Sequence, residues 1–320
     1  MKIARHFNAG TPIDNAFSPE GTTENSTPFQ LRAVPKPPPK IPPPGAFYDI
    51  GGRRLHAIVS GESTAQPPVV LEAGLTAMSS CWHWVQDELS KSTKVLSYDR
   101  AGLGWSDSAE EPRHAKNIAS DLHRLLDAAN FPRPFIFAGH SLGGIFGRAY
   151  QSMWPEDIAG LALIDAVHPD QLERSPQIKW AFRRLFWYLR AASQLAPTGA
   201  QRVVGDFGIS DKASEGLPAL HKLATKEFFT SPRHLRASLN EADQWNTSMS
   251  QVRDRRLGAL PLLVLTAPIH RMQGWLDLQH DLAQLSTRAR HVTLENSTHL
   301  TILTKKDFAE RTAHQIRTPP

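Results

Sequence analysis

Ser141 lies in "GHSLGG", directly after the apolar run "PFIFA" and at the head of the helically spaced stretch "SLGGIFGRAYQSMW". A serine at a tight strand-to-helix turn stands exposed above the carboxyl edge of a sheet, and small residues two positions to either side let the chain bend that sharply. Here those residues are Gly139 and Gly143. The helix that starts at Leu142 aims unpaired N–H groups and the positive end of its dipole at whatever is bound to the hydroxyl, which favours a developing oxyanion. A serine alone is a weak nucleophile. The chemistry therefore requires a base to take its proton and a carboxylate to hold that base in one tautomer.

The elements that must position such a group are read from hydrophobic spacing. "FYDIGGRRLHAIVSG" predicts a hairpin around Gly51 and Gly52, and "PPVVLEAG" predicts a strand buried on both faces. A helix in "SSCWHWVQDELSKS", the strand "TKVLSYDR", and a helix bearing Ile118, Leu122, Leu125 and Leu126 follow. After the strand "PFIFAG" and its helix, which Pro155 halts, comes the strand "GLALID". Strand alternating with helix predicts a parallel sheet covered on both faces. The alternation stops over residues 168–257 and resumes with "LPLLVLTAP", a helix near "GWLDLQHDLAQLS", the strand "RHVTLE" and a last helix from Lys306.

Residues 1–45 hold ten of the 25 prolines and few large apolar side chains, which predicts a tail with polyproline II character near its end. The block 168–257 reads as an insertion. It holds 14 Lys plus Arg against nine Asp plus Glu, the same excess of five that the whole chain carries. Its "WAFRRLFWYLRAASQL" is aromatic and basic at helical spacing, which suits a lid over an apolar substrate or a surface resting on lipid. The favoured reading is plainer: an amphipathic helix packs its apolar stripe on the main domain.

A charge excess of five without long basic runs argues against nucleic acid as a partner. The single cysteine, Cys81, makes no internal disulfide and reads as a packed, inert thiol. No secretory signal or membrane-spanning run is recognised, so a cytoplasmic or otherwise soluble protein is expected; Asn-x-Ser/Thr matches at Asn25, Asn246 and Asn296 count as chance. No phosphate-binding glycine loop or His-Glu-x-x-His spacing occurs, so neither a cofactor nor a metal is expected. Oligomeric state is left open.

"GHSLGG" after an apolar strand resembles the nucleophile elbow of the α/β-hydrolase superfamily, and the similarity continues in family order through "VVLEAGL", "YDRAGLGWSD", "GLALIDAVHPDQ", "LPLLVLTA" and "STHL". The resemblance spans nearly all of residues 46–317 apart from the insertion. It implies an eight-stranded, mostly parallel α/β sheet, with a core of residues 46–167 and 258–320 and a helical cap of residues 168–257 between strands 6 and 7. It implies Ser141 as nucleophile and His299, in "ENSTHLTI", as base; His140 and His291 read as structural.

The acid departs from the commoner pattern, because Ala267, Pro268, Ile269 and His270 stand where relatives carry Asp after the seventh strand. The other location known in the superfamily, the end of the sixth strand, supplies Asp165, with Asp277, or no acid at all, as the alternatives. The oxyanion donors implied are the backbone N–H groups of Leu142 and Leu75, and Asp99 with Arg100 reads as structural, an ion pair and a glycine turn that brace the site. The activity implied is acyl transfer to water on a small-molecule or lipid-like ester. Two alternatives remain: a ligand-binding or scaffold protein with little turnover, and a lyase or C–C hydrolase using the same three residues.

Overall fold

The computed structural model describes residues 41–198, 208–269 and 272–318. The chain opens with β1 (Ala46–Asp49) and β2 (Arg54–Ser60), then β3 (Val69–Glu72), a 3-10 turn (Ser79–Trp82), α1 (His83–Ser90) and β4 (Val95–Tyr98). Next come α2 (Ala115–Ala128), β5 (Phe135–His140), α3 (Gly143–Met153) and β6 (Ile158–Ile164). Helices α4 (Gln171–Arg174), α5 (Pro176–Leu195), α6 (Ile209–Ala213), α7 (Ala219–Phe229), α8 (Pro232–Asp243) and α9 (Trp245–Ser250) then follow without a strand among the described residues. The chain closes with β7 (Leu262–Thr266), α10 (Trp275–Ala283), β8 (Ala289–Thr293), α11 (Thr301–Thr304) and α12 (Lys306–Arg317).

The strands form one eight-stranded sheet in the order β1-β2-β4-β3-β5-β6-β7-β8. β2 runs antiparallel to β1 and β4, and the remaining pairs are parallel. Every residue of β3, β4, β5 and β7 is buried, as expected of strands with helices on both faces. Side chains alternate between two cores. Val70, Phe137, Leu163 and Val264 point to the α2 and α3 side, whereas Leu71, Ala138, Ile164 and Leu265 point to the α1 and α12 side. On α2, the four periodic residues of the sequence pattern are all buried, and His114 caps the helix by accepting from the Asn117 N–H at 3.3 Å.

Most of the Pro-rich segment, residues 1–40, lies outside the described residues. Its end is packed: Ile41 is buried with Met78, Trp105, Ala224 and Phe228, and the Pro44 carbonyl accepts from His56 Nε2. Helix α5 does bury an apolar stripe, with Ile178 against Trp275 and Leu189 against Leu235, as expected of an amphipathic helix. Trp180 and Trp187 are left on its other face. No described helix is long and apolar enough to cross a membrane.

Candidate active site

The sheet order reverses at β3, so the carboxyl ends of β3, β5, β6 and β7 lie side by side, the place where open α/β sheets bind ligands. Glu72 is in register with Gly139, His140 with Ile164, and Ile164 with Leu265. Ser141 and Asp165 are thus each the first residue past adjacent strands, which lie about 4.8 Å apart. Ser141 takes a left-handed φ of 54°, its N–H donates to the Ile164 carbonyl at 3.1 Å, and its carbonyl accepts from the Val167 N–H at 3.0 Å. The flanking glycines are there for space. A Cβ on Gly139 would stand 2.5 Å from the Gly143 carbonyl, and one on Gly143 would stand 2.5 Å from the Glu72 carbonyl oxygen. The helix proper begins at Gly143, one residue later than the sequence suggests, with Leu142 as its cap.

Asp165 is fully buried and lies 2.7 Å through Oδ2 from His299 Nδ1. Its other oxygen, Oδ1, accepts from the Ala267 N–H and from Trp275 Nε1–H, each at 3.0 Å. Ala267, which occupies part of the commoner acid position, therefore serves Asp165 through its backbone. His270 lies outside the described residues. Asp277 is exposed on the first turn of α10, and the carboxylate paired with His299 is Asp165. His140 Nε2–H donates to the His299 carbonyl at 2.7 Å, tying the histidine loop to the end of β5, and His291 bonds Thr266 Oγ1 at 2.8 Å across β7 and β8.

Ser141, Leu142, His299, Gly74 and Leu75 line one cavity of about 380 Å³. Its remaining wall is mostly apolar, with Phe182, Leu185, Phe229 and Trp245 contributed by the helices between β6 and β7. Cys81 also faces it, and burial pushes its thiol up to about 12, where little thiolate forms at neutral pH.

The loop after β3 is gripped by a buried network that the sequence did not reveal. Arg100 donates from Nη1 to the Ala73 carbonyl and from Nη2 to the Gly74 carbonyl, both at 2.8 Å. In a trans peptide the carbonyl and the next N–H point in opposite directions, so fixing the Gly74 carbonyl on Arg100 turns the Leu75 N–H away from the arginine. Arg100 is held by Glu72 at 2.7 Å and, through Nε and Nη2, by both oxygens of Glu241 on α8 at 2.7 and 2.9 Å. The expected Asp99–Arg100 pair does not form. Just past the end of β4, Asp99 instead pairs with His56 at 2.9 Å and accepts the N–H groups of Ser79 and Trp105, while Arg100 is taken up by Glu72 and Glu241. Burial opposes the charges of that pair, yet their mutual attraction prevails, raising His56 and lowering Asp99.

Breaking a buried ion pair by removing one charge destabilises by about 3–5 kcal/mol. Glu241→Gln is therefore expected to lower the thermal midpoint by several degrees, and to lower kcat as well, because Arg100, the donor to the Gly74 carbonyl, is then held by the charge of Glu72 alone. Thermal melts and steady-state kinetics on the same sample check both outcomes.

Helix α8 grips the same loop a second time. His234 donates from Nε2 to the Thr76 carbonyl at 2.8 Å and accepts from the Gly104 N–H at 3.2 Å, the pattern of a neutral ring. Burial pushes its pKa down from 6.5 to about 4. The unfolded chain takes up this proton near pH 6.5 and the folded chain only near 4, so the stability present above 6.5 is lost as the pH falls between those values. Thermal melts from pH 7 to pH 4 should show that loss, and His234→Gln should show a shallower pH dependence.

A protein-family model described as alpha/beta hydrolase fold matches residues 67–306. Over 153 residues the chain is 34% identical to a protein of Hormonema carpetanum named "Probable transporter efuK", a match covering 45% of this chain and 21% of that protein, so the chain spans about a fifth of that relative's length. An "AB hydrolase superfamily protein" of Gibberella zeae is 26% identical over 270 residues, covering 73% of this chain and 81% of its own length. Among solved structures, Cfl2 from Burkholderia cenocepacia superposes with a TM-score of 0.66 at 24% identity, covering 85% of this chain and 93% of that one. With three quarters of its length matched by that model and the sheet order it displays, this chain belongs to the alpha/beta hydrolase fold family.

Proposed function

We propose that the protein is a serine hydrolase that cleaves an ester-type acyl bond through an acyl-enzyme. The observation that carries the reading is the 2.7 Å bond between Asp165 and His299, whose imidazole lines the same cavity as Ser141. Asp165 holds His299 with its proton on Nδ1, leaving Nε2 to accept the proton of the Ser141 hydroxyl as Oγ attacks the acyl carbonyl. The N–H groups of Leu75 and Leu142 receive the oxyanion. The alcohol leaves with the proton from Nε2, and a water deprotonated by His299 then attacks the acyl carbon to release the acid and free Ser141. The helices between β6 and β7 act as a cap, and their apolar side chains on the cavity wall suit an uncharged acyl or alkoxy chain.

A series of p-nitrophenyl esters of increasing acyl length tests this proposal. An initial burst of about one equivalent of nitrophenol, followed by slower turnover, supports an acyl-enzyme. Absence of turnover on every ester, with the protein folded, would leave the binding or scaffold reading in its place.

A further inference from the structure

Helix α5 has two faces of opposite character. Ile178, Phe182, Leu185, Phe186 and Leu189 turn toward the rest of the domain. On the other side, Trp180, Arg183, Arg184 and Trp187 recur at the i, i+3, i+4, i+7 spacing of a single stripe. Trp180 is 60% exposed and Trp187 73%, the highest values among the large apolar side chains described. The helix carries Lys179, Arg183, Arg184 and Arg190 and no acidic residue. Arg190 pairs with Asp243 at 2.6 Å, whereas among the described residues no carboxylate lies within 4.0 Å of Lys179, Arg183 or Arg184. The Arg184 guanidinium lies over the Trp180 ring, 4.6 Å from its centroid.

We infer that this face docks on an anionic phospholipid surface. Indole rings settle at the boundary between headgroups and acyl chains, and unpaired cations beside them meet the negative phosphate layer at their own depth. A second copy of the chain is a poor occupant, because an isologous contact would set this cationic stripe against itself. The position of the face adds a purpose. Trp180, Trp187 and Tyr188 line a groove that shares Leu185 and Ile209 with the cavity of Ser141, so the surface that meets lipid adjoins the wall behind which an apolar substrate is held. That purpose rests on the acyl-hydrolysis reading; the docking itself does not.

The test is co-sedimentation of the full chain with phosphatidylcholine vesicles, with and without phosphatidylserine. Partitioning onto the phosphatidylserine-containing vesicles should exceed that onto phosphatidylcholine alone by about tenfold or more and fall as salt is raised. Trp180→Ala/Trp187→Ala and Arg183→Gln/Arg184→Gln should each lose most of that binding while hydrolysing a water-soluble short-chain ester at the wild-type rate. The Ser141→Ala protein should still bind, which separates failure of the docking from failure of the catalytic reading. No sedimentation of wild type at low salt overturns the inference, as does equal binding by the tryptophan variant. A concentration-dependent dimer that the tryptophan variant cannot form would assign the face to a second copy instead.

Discussion

Asp165→Asn is expected to lower kcat by about 10³–10⁴-fold with little change in KM. The size of the loss follows from which atoms surround the carboxylate. Oδ1 is fixed by two donors, the Ala267 N–H and Trp275 Nε1–H, so an asparagine keeps its carbonyl oxygen there. Its NH₂ group must then face His299 Nδ1, where Oδ2 lies at 2.7 Å in the native protein. Nδ1 becomes an acceptor, the imidazole proton moves to Nε2, and the ring no longer takes a proton from Ser141. Asp277→Asn, at an exposed position outside this cluster, should leave kcat/KM within about twofold. Kinetics of the two variants side by side check the assignment, and a reversal of their effects would move the acid to α10.

Ser141→Ala should have the larger effect, a loss of about 10⁵-fold or more in kcat, since no other group supplies the attacking oxygen. Stability should hardly change. Alanine keeps the Cβ and the same left-handed φ of 54°, so the strain of the turn is the same before and after the substitution. A thermal midpoint close to wild type, measured with the kinetic loss, shows that the hydroxyl and not the fold has been removed. Deactivation accompanied by a large drop in the midpoint would instead point to a packing role for Ser141.

The parts of the fold that could be read from sequence are those governed by local periodicity. Continuous apolar runs such as "VVLE" and "LLVLT" marked strands buried on both sides, and the glycines around Ser141 marked a turn whose tightness the contacts of Gly139 and Gly143 explain. The pairing of Asp165 with His299 was accessible because both residues follow strands whose neighbours the fold dictates. What escaped depends on partners distant in sequence. Arg100 and Glu241 are 141 residues apart, and nothing in "HLRASLNEAD" says that its glutamate grips a loop beyond β3. Trp275 likewise gave no local sign that its indole would hold a carboxylate 110 residues earlier. The supposed Asp99–Arg100 pair failed for the same reason: each side chain finds its buried partner far away in sequence, Asp99 on His56 and Arg100 on Glu72 and Glu241.

The proposed reaction depends on one hydroxyl, that of Ser141, being activated by His299. Incubation with a fluorophosphonate, followed by intact-mass measurement and peptide mapping, reports on that activation. A single adduct is expected on Ser141, absent from Ser141→Ala and formed far more slowly in His299→Ala. A folded wild-type protein that stays unmodified, or that carries the adduct on another residue, would contradict it.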